Sequence, residues 1–170
     1  MISTRSLGLI LIAMLVIANG VGITLHWYYW ERLPEQVATH FDAKGQPGNF
    51  APKWQATLLL AGVEVGLSWF MVLIGMAMSY IPNGMINIPN RNYWLAGMRR
   101  SETLSFMRVV LNGIGLMTAL FLMVISYSIF IANRDGKPLD SVIFWSSFIG
   151  YMGSMMAVVI MLQLRFRLPR

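Results

Sequence analysis

Residues 7–29, 56–80, 109–132 and 142–164 form four apolar runs, each long enough to cross the hydrocarbon core of a bilayer, which takes about 20 residues of helix. Lipid offers backbone N–H and C=O groups no partner, so such runs have to be helical. Composition agrees: of 170 residues 56% are hydrophobic and only 12% charged, against about 25% charged in soluble domains. A chain of this size cannot cover that much apolar surface with its own atoms, so lipid must cover the rest. A soluble enzyme, a disordered tail and a DNA-binding module are excluded on this ground. The expected fold is an all-α integral membrane protein, one domain over residues 1–170, with four transmembrane helices in a bundle.

The first run exceeds a signal-peptide core of about 7–15 residues and ends in His26-Trp27-Tyr28-Tyr29-Trp30, so it reads as an uncleaved span with an aromatic belt. Four spans put both termini on one side. That side carries eight basic residues, namely Arg5, Arg91, Arg99, Arg100, Arg108, Arg165, Arg167 and Arg170. The other side carries five, Arg32, Lys44, Lys53, Arg134 and Lys137, matched by five acids. The positive-inside rule places both termini in the cytoplasm, with 30–55 as the outer loop and 81–108 as the cytoplasmic connection. The net charge of +6 therefore reads as a topogenic signal, and no nucleic-acid partner is expected.

Small residues at helical spacing mark where helices are expected to pack: Gly62 with Gly66 in the second span, and Gly150 with Ser154 and Gly153 with Ala157 in the fourth. The fourteen Met residues read as adaptable apolar filler.

The outer loop is the most informative stretch. Val37 to Phe41 reads as a short strand, and Asp42–Gly45 and Gln46–Asn49 carry turn chemistry. So long a loop is expected to fold as a small cap on the bundle. Leu33, Pro34, Thr39, His40, Phe41, Gly45, Pro47, Phe50 and Lys53 resemble the pattern of the bacterial membrane family known as domain of unknown function 1648. That family also opens the longer SdpI-like toxin-immunity proteins. Asn87, Pro89, Asn90, Tyr93 and Trp94 on the cytoplasmic side resemble its second motif. The chain departs from the pattern at Ala38, where the family has Pro, and at Asp42, where it has Asn. The resemblance implies a multi-pass protein of the bacterial cytoplasmic (inner) membrane with a folded outer loop, and no particular reaction.

Candidate chemistry is sparse. His40 and Asp42 share a strand face and are the candidate metal ligands, but they need a third, for which only Glu35 or His26 is near. The preferred reading is therefore structural, with both side chains hydrogen-bonding the loop backbone and holding its turn, and no metal is expected. Glu64 is the one ionisable residue deep in a span, which makes it a functional candidate by default. Counting 1.5 Å per residue puts Asn19 and Tyr151 at nearly its depth, so a polar cluster of Glu64, Asn19 and Tyr151 is expected, with Ser68 one turn further in. With no basic residue apparent at that depth, the Glu64 carboxyl is expected to carry its proton. Asn112 reads as a separate interhelical contact. Tyr93, Trp94, Arg99 and Arg100 read as an interfacial segment meeting anionic lipid headgroups.

No nucleophile, base and oxyanion site come together, so a non-enzymatic role without cofactor is expected. The primary expectation is action by association with another membrane protein or complex, as accessory subunit or as immunity or signalling protein. The alternative is a carrier or sensor for a small ligand or ion using Glu64 and the His40 loop.

Overall fold

A computed structural model describes residues 3–168. Arg170, counted above in the charge asymmetry, lies outside the described residues. Four helices are long and apolar enough to cross a membrane: α1 (Thr4–Trp30), α2 (Lys53–Ala77), α4 (Arg99–Asp135) and α5 (Ser141–Arg165). The four-residue α3 (Arg91–Trp94) lies between α2 and α4. Strands β1 (Gln36–Ala38) and β2 (Phe50–Pro52) pair antiparallel within the loop after α1.

Caps define the ends. The Ser3 hydroxyl accepts from Ser6 N at the start of α1, and the Asp140 carboxylate accepts from Val142 N and Ile143 N at the start of α5, each meeting N–H groups that a helix leaves unpaired. The helix α4 has 37 residues, about 55 Å at 1.5 Å per residue, against a hydrocarbon core of about 30 Å. It therefore begins ten residues before the apolar run at 109, because the polar Arg99–Arg108 stretch extends the helix beyond the core.

The four long helices do not share one core equally. α1, α2 and α4 pack on one another, whereas α5 leans on α4 and buries none of its residues. The bundle expected from the sequence is thus three helices with a fourth at the side. Leu15, Ala18, Val72, Leu116 and Ala119 form its mid-span core. The small residues proposed as packing sites also need correcting. Nothing lies within 4 Å of a Cβ placed at Gly62, Gly66, Gly150 or Gly153, and Ser154 and Ala157 lie on the unburied α5. The close approaches fall elsewhere: a Cβ at Gly115 of α4 would meet the Ser68 carbonyl oxygen of α2 at 2.6 Å. The apolar pattern does not distinguish a small residue facing a helix from one facing lipid.

The connection after α2 is folded. Ile86 and Ile88 turn inward to join Met78, Leu95, Leu104 and Phe166, with Asn87 exposed between them and Pro89 half-buried. Asn90, in the left-handed conformation at φ 53°, donates from Nδ2 to the Phe166 carbonyl (2.9 Å), and Trp94 Nε1 donates to the same oxygen (3.0 Å). Phe166 is fully buried. The second motif thus clasps the end of α5. Of the two arginines expected at headgroups, Arg99 is exposed and Arg100 half-buried, and each bonds to the protein's own connection. Arg99 Nε donates to Tyr93 O and Arg100 Nε to Asn83 Oδ1, both at 2.8 Å.

Candidate functional site

The loop after α1 forms a cap docked on the bundle. Val37 and Ala38 are buried, and Leu33, Val37 and Ala56 close over Tyr29 and Phe130. The strand expected over 37–41 ends at Ala38, where Asn133 of α4 takes the strand's outer edge. Its Oδ1 accepts from Ala38 N (2.6 Å) while its Nδ2 donates to Ala38 O (3.1 Å), as a neighbouring strand would. Proline, the family residue at that position, has no N–H to give; Ala38 has one. Nothing in its own helix marks Asn133 for this role.

Beyond Ala38 the chain turns. Phe41 bridges to Pro47, the Thr39 hydroxyl donates to Asn49 O, and Asp42 Oδ1 accepts from Lys44 N and Gln46 N at 2.8 Å. Gly45 has φ +76°, and a Cβ there would press on the Leu139 carbonyl at 2.5 Å, so this turn requires glycine. His40 is exposed, and among the described residues no three His, Asp or Glu side chains gather. Of the two residues expected to complete a metal site, Glu35 pairs with Lys53 at 2.7 Å and His26 turns into the membrane-spanning core. Asp42 is a turn former; Pro34 is exposed beside the buried Leu33.

The polar centre lies between α1 and α2. His26 Nε2 stands 3.3 Å from Glu64 Oε2, and the two residues are 5% and 1% exposed. This corrects the expected cluster. Asn19 does not meet Glu64: its Nδ2 donates to Ser68 Oγ at 3.3 Å. Tyr151 is further away on α5, within 3.0 Å of Thr118 Oγ1 and stacked on Phe121. Nor is the depth free of a basic group, since His26 is there. Asn112 does bridge helices, donating to Gly8 O at 3.3 Å.

The geometry of the pair follows from spacing. Asn19, Gly22 and His26 are three and four apart on α1, and Glu64 and Ser68 four apart on α2, with Thr57 seven before Glu64; each set lies on one helix face. A Cβ at Gly22 would overlap Glu64 Oε1 and come within 2.8 Å of Cδ, so the absent side chain makes room for the carboxyl. The Phe130 ring meets the imidazole edge-on at 4.9 Å. His26 Nδ1, Glu64 Oε1 and Thr57 Oγ1 are buried without hydrogen-bond partners among the described residues, an arrangement that is costly in an apolar medium unless something pairs with them. A cavity of about 470 Å³, lined by Ile23, His26, Trp27, Trp30, Glu31 and Thr57, opens beside them at the hairpin end. His26 thus both lines the cavity and touches Glu64. Chemically, the pair can hold or pass a proton, or bind a small polar group through its unpaired atoms.

Residues 9–65 match the family model described as Domain of unknown function (DUF1648), the family to which the sequence shows its resemblance. The matched segment, about a third of the chain, takes in most of α1, the whole hairpin and α2 as far as Val65, and so includes both His26 and Glu64. No curated protein and no solved structure matches the chain.

Proposed function

We propose that the protein is a non-enzymatic membrane sensor or carrier for a small ligand or ion, with protons or small polar cations bound at the His26–Glu64 pair. The observation that carries this reading is the buried pair itself, with one unpaired polar atom on each residue, next to a cavity lined by His26 and Thr57. Ionisable groups inside a membrane are expensive and concentrate where ions or protons are handled. On this reading the cavity is formed by the end of α1 and the start of α2, and His40, out on the hairpin, takes no part in binding. The basic excess at the connection end favours a cytoplasmic location for that end in a bacterial inner membrane, so the cavity faces outward. Labelling of single cysteines introduced at Gln46 and Ser101 in intact cells tests this orientation: Gln46 is expected to react and Ser101 to be protected.

Trp27 and Trp30 flank the cavity and give a direct readout. In protein reconstituted in lipid nanodiscs, a step in pH is expected to change their fluorescence, and His26→Gln and Glu64→Gln each to abolish the change while the protein stays folded. An unchanged response in both variants overturns the proposal. The second reading, association with another membrane protein, draws support from α5, which buries no residue within the chain. Co-purification of a stoichiometric partner that is lost on substituting the outer face of α5 favours it.

A further inference from the structure

The end of the molecule opposite the hairpin holds a second and larger cavity, of about 920 Å³, between the start of α1, the first half of α4 and the end of α5. Arg5, Arg108 and Arg165, from three different helices, line it. None of the three has a carboxylate within 4.0 Å among the described residues, although Glu102 lies in the same wall. Two of them are held in place. Arg108 donates from Nε to the Gly75 carbonyl (3.3 Å) and from Nη2 to Ser79 Oγ (2.9 Å). The Arg165 guanidinium lies 4.5 Å from the centre of the Trp94 ring and 5.5 Å from that of Phe106. Ser101 and Ser105 add hydroxyls beside Arg108. Leu9, Ile12 and Val109 carry the wall into the apolar span, ending at Asn112, which is 1% exposed and whose Oδ1 has no partner.

A cationic mouth leading into an apolar wall fits one kind of molecule, an anion with a hydrocarbon tail. We infer that this cleft is a binding site for a single anionic phospholipid. Its phosphate sits among Arg5, Arg108 and Arg165, its headgroup hydroxyls lie near the serines, and an acyl chain runs along Leu9 and Ile12. Arginine suits phosphate because its planar fork gives two parallel hydrogen bonds. The site is distinct from Arg99 and Arg100, which do not line the cleft and bond to the protein's own connection.

The test uses full-length protein stripped of lipid in mild detergent. Phosphatidylglycerol, phosphatidylcholine and inorganic phosphate are added separately, with bound lipid counted by native mass spectrometry and stability followed by thermal unfolding. One phosphatidylglycerol per chain is expected to be retained and to raise the midpoint, with little effect from phosphatidylcholine. Arg5→Gln and Arg165→Gln are each expected to weaken retention about fivefold, while Arg91→Gln, remote from the cleft, leaves it unchanged. Arg108→Gln should act likewise, and the other two variants keep the test sound if its bonds to Gly75 and Ser79 prove necessary for folding. Equal retention of phosphatidylcholine, or equal weakening by Arg91→Gln, overturns the inference. So does full stabilisation by inorganic phosphate alone, which would make the cleft a site for free phosphate.

Discussion

Replacing Gly22 with alanine adds one methyl group at the most crowded point of the polar centre. That methyl would overlap Glu64 Oε1, lie 2.8 Å from Cδ and 3.2 Å from Oε2. Glu64 is 1% exposed, so its carboxyl cannot swing aside freely and must leave the 3.3 Å contact with His26. Overpacking of this kind costs about 1–3 kcal/mol, and a lost interhelical hydrogen bond in a membrane about 0.6–1.7 kcal/mol. Alanine's better helix propensity returns about 0.8–1.0 kcal/mol. The net loss expected for Gly22→Ala is about 0.6–4 kcal/mol. Gly62→Ala and Gly66→Ala, which meet nothing within 4 Å, keep only the propensity gain and should be neutral to slightly stabilising. Reversible unfolding in mixed detergent micelles, followed by tryptophan fluorescence, measures all three. In a Glu64→Ala background the cost of Gly22→Ala should vanish, because the clashing atoms are gone. If Gly22→Ala costs no more than Gly66→Ala, or costs the same with and without the Glu64 side chain, the steric account of the site is refuted.

Gly115→Ala should destabilise by about 1–3 kcal/mol, since the atom it meets is the Ser68 main-chain oxygen and α2 and α4 have to separate; Gly113→Ala, with nothing near it, is the control in the same unfolding assay. Asn133→Ala strips the buried N–H and C=O of Ala38 of their partners, at about 1–3 kcal/mol. Its signature is faster amide hydrogen exchange confined to the hairpin. Phe166→Ala empties the centre of the connection cluster and should cost about 3–5 kcal/mol. Thermal unfolding checks this, and a change in Trp94 fluorescence should accompany it, as the two rings are 5.8 Å apart.

The number of spans and their approximate limits are written in the sequence, because lipid imposes a length and a polarity on any segment that crosses it. The folded hairpin, with Asp42 and Gly45 in its turn, was legible too, since turn chemistry acts within a few residues. Glu64 could be singled out for the same reason that its burial is costly. Its partner could not. Counting depth along each span gives the level of a backbone position and not where a long side chain ends. Ala56 and Leu60 of α2 pack beside Leu25 and Tyr29 at the end of α1, and the Glu64 carboxyl lies against Gly22. The missing side chain there lets the carboxyl reach His26 one turn nearer the hairpin, a residue that reads in sequence as part of the aromatic belt, and leaves Asn19 to Ser68. Asn133 on Ala38 and Phe166 under Trp94 join positions 95 and 72 residues apart, which no local pattern encodes. Which glycines face a neighbour and which face lipid was likewise decided by helix rotation in the packed structure, because a small apolar residue suits either surroundings and carries no mark of its own.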